Sequence, residues 1–296
     1  LLALQNGQAA IIDCGGSAGS ATGDMVAAEL ASYGIYRVEY LILTHYDDDH
    51  SAGVTELLQR IPVSTVLLPD LDPEDPHRRE IEQTARAQHT EILHVTAHTK
   101  AALGSGELEL IPPAGQDQNA GLAVLVEMPA FTALITGDMD TQQEQDLLDT
   151  VALPDVNLLI AGHHGSKYST SEALLRQTAP EIVAISVGKN SYGHPADETL
   201  RRITEYGAQI YRTDYQGTIR FKGARPMAKK KATTSEGYQQ LKADIKSGSF
   251  HRMYIFYGEE HYLLEHYQRQ LKKKLTDGPA EDFNYHRFTE ETWDIG

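Results

Sequence analysis

Six consecutive residues hold the densest chemistry in the chain: His45-Tyr46-Asp47-Asp48-Asp49-His50, within LTHYDDDHSAG. His45, Asp47 and Asp49 alternate, so an extended loop can point them the same way, and His50 opens the helix expected next. Imidazoles and carboxylates together are good donors for Zn²⁺ and Mn²⁺. Carboxylates crowded this closely repel one another unless a cation compensates them. The plainer alternative is an acidic solvated turn drawn to a helix N-terminus. Tyr46 and Asp48 occupy the intervening positions and read as structural.

Four further elements could join that cluster. Asp13 ends QAAIID, and Asp138 follows Gly137 in ITGDMD. His163 and His164 stand together before Gly165 in LLIAGHHGSKYSTS, where a glycine turn leaves imidazoles exposed. His194 ends a loop in SVGKNSYGHP, and Pro195 opens the next helix. Each is ordinary alone: many strands end in Gly-Asp, and the His194 loop could merely cap a helix. Together they are far more specific.

The elements that must bring these residues together are short apolar runs alternating with helical patterns. Strands are expected at 8–13, 38–44, 64–69, 91–95, 107–111, 122–127, 131–136, 156–161, 181–187, 209–212 and 218–221. Helices are expected at 23–33, 52–60, 78–88, 141–150, 171–177 and 197–206. Asp13, the HYDDDH loop, Asp138 and the histidine pair all fall at carboxyl ends of strands, where open sheets place their sites. The pattern predicts an α/β or α+β fold of two mixed sheets with helices on the outer faces.

Composition narrows the class. In 296 residues, 41% are hydrophobic and 23% charged, which excludes collagen-like, disordered and disulfide-stapled chains. The single cysteine, Cys14, asks for no oxidising compartment. No apolar run approaches the roughly 20 residues of a membrane span, and 122–135 is broken by Glu127 and Pro129. Leu1 is not Met and no signal-peptide pattern follows, so the chain is expected to be a soluble fragment. Its net charge of −16 is uneven. From 227 to 296 there are 11 Lys/Arg and 11 Asp/Glu; the preceding residues hold 15 and 31. The same 70 residues carry 11 of the 22 aromatics. This shift predicts two unrelated pieces: a domain at 1–223, a basic linker at 224–236 and a second segment at 237–296.

The first piece resembles the metallo-β-lactamase fold family, whose usual signature HxHxDH stands here as HxDxDH (His45 to His50). With TGD (136–138), GHHGSKYSTS (162–171), ISVGKNSYGHP (185–195) and RTDYQGTI (212–219), it is most similar to the C-terminal hydrolase-like domain of ComEC-type competence DNA-uptake proteins. The resemblance covers 1 to about 223. It implies an αββα sandwich and a nuclease that degrades one DNA strand during uptake of the other. It also implies two divalent metals, Mn²⁺ or Zn²⁺ with Mg²⁺ allowed, held by His45, Asp47, Asp49, His50, a bridging Asp138 and one of His163 or His164. Asp13 would orient a ligand from behind. The wider family's remaining histidine is missing: His77, His89, His94 and His98 come too early, and Asn119 stands near the expected place. Asp47 in place of His makes the first position harder and more oxygen-rich, which tilts it toward Mn²⁺ or Mg²⁺.

The implied reaction is phosphodiester hydrolysis at two metals, with Asp49 and Asp138 in the catalytic centre. Lys167, Ser166 and His194 are candidates for phosphate contacts or leaving-group protonation, against loop packing as the alternative. The acidic balance predicts weak, non-specific DNA binding. By resemblance the parent protein sits in the cell membrane. Hydrolysis of a lactone, thioester or β-lactam is the alternative within the same fold.

The second segment has Tyr238, Leu241 and Ile245 at helical spacing and a strand candidate at 253–257. Through GYQQLKADIKSG and MYIFYGEEHYLLE it resembles the degenerate AAA+ first domain of clamp-loader delta subunits of bacterial replicative polymerases, over about 238–288. No GxxxxGK[ST] occurs at 257–264, so no ATP is expected there. Met227 would be the natural start of such a protein. The chain then reads as one frame's end joined to another's start, and a non-catalytic replication component is the alternative function.

Overall fold

Strands in which both alternating phases are apolar must be covered on both faces. The computed structural model describes residues 2–3, 7–16, 21–115, 120–221 and 244–247, and its central strands, such as 63–69 and 123–128, are of this kind, while edge strands such as 91–95 and 209–212 are partly exposed. The first sheet has the order β1 (Leu2–Ala3), β2 (Ala9–Ile12), β3 (Val38–Ile42), β4 (Val63–Pro69) and β5 (Glu91–Val95). From β2 to β5 all pairs are parallel, so helices must cross between them: α1 (Thr22–Ser32), α2 (Asp48–Ser51) with α3 (Val54–Arg60), and α4 (Pro76–Ala87).

The second sheet begins as an antiparallel meander of β6 (Thr99–Leu103), β7 (Gly106–Ile111), β8 (Ala123–Met128) and β9 (Phe131–Ile135). It continues in parallel through β10 (Leu158–Ile160), β11 (Ile182–Ile185) and β12 (Gln209–Arg212). The crossovers are α5 (Thr141–Thr150), a 3₁₀ turn (Gly162–Gly165) with α6 (Glu172–Thr178), and α7 (Asp197–Tyr206); α8 (Thr213–Gln216) follows β12.

Three buried clusters record the layering. Ile42, Leu67, Leu108, Leu110, Val124 and Val126 meet between the sheets. Leu41, Val66 and Leu68 pack outward with Leu30, Leu57 and Ile81 of the first helices. Leu125, Leu134, Leu159 and Val183 do the same with Leu147, Leu174 and Ile203. Each such side chain contributes about 1.5–3 kcal/mol on burial, and together they fix an αββα sandwich.

Three differences from the sequence expectation have local causes. The helix expected at 52–60 begins at Val54, and a separate turn of helix, Asp48–Ser51, precedes it; between the two the Gly53 amide donates to Cys14 O at 2.8 Å. A Cβ on Gly53 would lie 2.9 Å from Gly23 N, so α1 and α3 cross where only glycine fits. The strand expected at 218–221 is irregular, and β6, whose TKAAL lacks β-branched residues beyond Thr99, went unrecognised. Among the described residues no helix is long and apolar enough to cross a membrane. The chain divides into two units, Leu1–Pro226 and Met227–Gly296. In the second only the helical turn 244–247 is described, so the linker at 224–236 and the clamp-loader-like segment lie otherwise outside the described residues.

Candidate metal centre

The first sheet supplies a loop gripped from behind. Asp13 adopts φ 58°, in the left-handed region that Asp tolerates better than most residues, and so turns its carboxylate onto the end of β3. There Thr44 donates to it twice, through N to Oδ1 and through Oγ1 to Oδ2, both at 2.8 Å. Asp13 Oδ2 also lies 2.8 Å from His50 Nδ1, which leaves His50 Nε2 facing Asp138 Oδ1 at 3.1 Å. The backbone closes the grip: Cys14 N donates to His50 O at 2.9 Å, and an added Cβ on Gly15 would stand 2.0 Å from the Asp49 carbonyl carbon. Tyr46 is buried and donates to Pro69 O at 2.7 Å, while His77 Nδ1 and Ser51 Oγ both donate to Tyr46 O.

The second sheet supplies Asp138 and the histidine pair. Gly137, at φ 56°, lets the sheets touch; its Cβ would meet Thr44 Oγ1 at 2.8 Å. The carboxylate of Asp138 is ringed by imidazoles, with His45 Nε2 at 3.7 Å and His163 Nε2 at 3.5 Å from its Oδ2. His163 and His164 both have positive φ, 48° and 54°, so this turn stores strain at the site. His164 Nδ1 donates to Ser186 O at 2.7 Å, and its Nε2 lies 3.0 Å from Asp49 Oδ2. The loop behind them is pinned by buried and half-buried groups. Glu144 accepts from the amides of Thr170 and Ser171, Arg202 donates to Ser169 O and Thr170 O, and Thr199 Oγ1 donates to Ser166 O.

Two overlapping donor groups result. Asp49, His50, Asp138 and His164 each offer a ligand atom within 4.8 Å of the others, and so do His45, Asp47 and Asp49. His45 Nε2, His50 Nε2 and Asp138 Oδ1 are buried without a well-formed hydrogen bond. Buried polar atoms are rarely left so, and a divalent cation would satisfy all three. The residues therefore fit a metal. Burial and the neighbouring His50 push the His45 imidazole below its ordinary pKa. Burial acts the same way on His50, but Asp13 and Asp138 outweigh it and lift the group to about 10. Asp138 is held below the carboxylate range, His50 overcoming the opposing effect of burial. The hydrogen bond from His164 likewise depresses Asp49, and Asp49 raises His164.

The remaining candidates are spread around this centre. The His194 ring lies 5.6 Å from that of His163, and its Nδ1 is buried without a partner. Lys167 is exposed, with Nζ 4.8 Å from the centre of the Tyr168 ring. Ser166 is buried and its Oγ accepts from Tyr168 N, a loop-packing role. Asn119 lies outside the described residues. The other histidines are engaged elsewhere: His77 at Tyr46 O, His94 at Glu82 and His98 at Glu109, while His89 sits at positive φ just after α4. Sequence reasoning missed Thr44, Ser186, Glu144, Arg202 and Thr199. Thr44 could have been suspected from its place directly before His45. The other four carry no local signal, because their partners lie 22 to 33 residues away.

The sequence model described as "Metallo-beta-lactamase superfamily" matches residues 1–189. ComE operon protein 3 of Bacillus subtilis is 29% identical over 198 residues, 65% of this chain and 26% of its own length. Competence protein ComA of Neisseria gonorrhoeae is 28% identical over 217 residues, 71% of this chain and 29% of its own. The metallo-β-lactamase fold protein YhfI from Bacillus subtilis aligns over 69% of this chain and 83% of its own, at 15% identity and a TM-score of 0.46. The chain thus spans between a quarter and a third of the length of the curated relatives it matches.

Proposed function

We propose that this chain, which belongs to the metallo-β-lactamase superfamily, is a metal-dependent phosphodiesterase that cleaves DNA within a larger, membrane-embedded uptake protein. The observation that carries the reading is the oxygen-rich donor set of His45, Asp47, Asp49, His50, Asp138 and His164 at one edge of two sheets. Divalent cations bound there, two of them and preferably Mn²⁺, would supply Lewis acidity toward a phosphoryl oxygen and lower the pKa of water. Competence proteins among the relatives favour DNA over a lactone or β-lactam as substrate.

The side chains divide the work. Asp13 and Thr44 orient His50 and His45; Asp138, a member of the first donor group, faces His45 of the second at 3.7 Å. Of the histidine pair, His164 is the ligand, because its Nδ1–H is committed to Ser186 O and its Nε2 is turned toward Asp49. His194, beside His163, is placed to deliver a proton to the leaving oxygen, and exposed Lys167 to meet a non-bridging phosphate oxygen. Ser166 serves the loop. The segment 237–296 is read, from its own motifs, as a clamp-loader-like fragment without ATP.

The test is to incubate the full chain with single- and double-stranded DNA under Mn²⁺, Zn²⁺ or Mg²⁺, then with chelator. Metal-dependent cleavage that chelator stops is expected. Intact DNA alongside turnover of a lactone or nitrocefin would overturn the reading.

A further inference from the structure

The rim of the centre carries a feature that metal ligation does not use. Tyr192 is 84% exposed, the largest exposure among the bulky apolar and aromatic side chains of the described residues. A tyrosine on a loose loop would need no comment, but the backbone that carries this one is held. Asn190 Oδ1 accepts from the amides of Tyr192, Gly193 and His194 at 3.1, 3.0 and 3.1 Å. Its Nδ2 donates to Gly188 O at 3.0 Å and to His194 O at 2.8 Å. One amide side chain thus satisfies five backbone groups and organises the loop around itself, so ordering the loop costs little when a ligand arrives.

The ring so presented stands at the rim of the site, beside His194. Its plane is inclined by 26° to the His194 imidazole, with centroids 6.3 Å apart, and the His194 ring is in turn 5.6 Å from that of His163. From solvent inward the order is Tyr192, His194, His163, Asp138. The same loop carries exposed Lys189, and a second exposed tyrosine, Tyr168, flanks the histidine turn with Lys167 above its ring.

We propose that Tyr192 is a base-stacking platform that seats an unpaired nucleobase next to the scissile phosphodiester, which makes single-stranded DNA the substrate; Asn190 is its positioning residue. The inference rests on the phosphodiesterase reading and adds the substrate class to it. Stacking suits this chain, because residues 1–226 hold 31 acidic against 15 basic side chains and repel a polyanion. A π-face attracts every base without regard to sequence or salt, and only an unpaired base has a face free to offer. In a duplex both faces are already stacked.

The experiment compares the full-length chain with Tyr192→Ala and Tyr192→Phe on oligothymidylate and on the same oligomer made abasic, under Mn²⁺. The ratio of kcat/KM for the two substrates is expected to fall about tenfold in Tyr192→Ala and to hold in Tyr192→Phe. In a Tyr192→Trp variant, oligothymidylate should quench the new indole fluorescence and the abasic oligomer should not. A wild-type ratio in Tyr192→Ala, or an indole blind to bases, overturns the proposal. If no DNA is cleaved by any form yet the indole is still quenched by bases alone, the platform stands and the phosphodiesterase reading falls. Equal cleavage of duplex and single strand by wild type sinks the platform and leaves that reading in place.

Discussion

The two donor groups of the centre share Asp49 but are built differently. Asp49, His50, Asp138 and His164 come from both sheets, and the two imidazoles are each fixed from behind, His50 by Asp13 and His164 by the Ser186 carbonyl. His45, Asp47 and Asp49 come from one short stretch, the loop after β3 and the first turn of α2; only His45 is buried, and both carboxylates face solvent. Pre-organised donors bind without first giving up side-chain entropy, whereas exposed carboxylates must be gathered. The first group should therefore hold a cation tightly, and the second should load later, release sooner and accept the harder ion. The contrast assigns affinity to the scaffold behind the ligands rather than to their number.

Substituting one member of each group strains that contrast most. Asp138→Ala removes the carboxylate that three imidazoles face, and DNA cleavage should fall below detection while far-ultraviolet circular dichroism is preserved. Asp47→Ala removes an exposed donor; one metal equivalent should remain by elemental analysis after desalting, and activity should return when excess Mn²⁺ is added. If both variants lose both metals, or if Asp138→Ala stays active, the two groups are not the unequal pair described.

A smaller effect comes from the scaffold alone. Gly15 carries no chemistry, yet a methyl group there would collide with the Asp49 carbonyl carbon and His50 N, both within about 2.1 Å. Gly15→Ala must push α2 outward and displace Asp49 and His50 from the partners facing them in the second sheet. A shift of about 1 Å at such a site can cost on the order of a hundredfold in rate. Cys14 offers an independent reading. Its thiol is 3% exposed, and burial, helped by Glu56 and Asp13, pushes its pKa up to about 12. A thiol reagent should ignore it in the native wild type at neutral pH and label it in Gly15→Ala. Wild-type rate and an unreactive thiol in that variant would mean that α2 does not depend on the Asp13–Gly16 stretch.

Gly15 also marks the limit of what sequence patterns convey. The donors announce themselves, because His and Asp at alternate positions of a loop are costly without a cation. The αββα layering is legible too, since runs such as Val38–Ile42 and Ala123–Met128 are apolar in both phases and so need cover on both faces. The scaffold is not. Glu144 looks like an ordinary acid near the start of an amphipathic helix, and only the folded chain brings its buried carboxylate to the amides of Thr170 and Ser171 behind the histidine turn. Local sequence does not distinguish His163 from His164 for the same reason: Ser186, whose carbonyl accepts from His164, lies 22 residues away.

The gentlest probe of the comparison is pH, acting through His50. Against the opposing effect of burial, Asp13 and Asp138 raise this imidazolium from 6.5 to about 10. A raised folded-state pKa means the charged contact stabilises fully below pH 6.5 and fades as pH climbs toward 10. A cation needs the Nε2 lone pair, so binding below pH 10 must expel that proton, and each pH unit gained improves affinity by at most about tenfold. The two forms should therefore part as pH rises. With chelator, Tm falls between pH 6.5 and 9; with Mn²⁺ it holds, and the gap widens. Scanning calorimetry at three pH values measures this. Asp13→Asn, which lowers the His50 pKa while keeping a side chain that tolerates positive φ, should narrow the divergence. Parallel curves in the wild type would mean that His50 gives up no proton to the ion, and that the better-scaffolded group of donors is not the one that binds it.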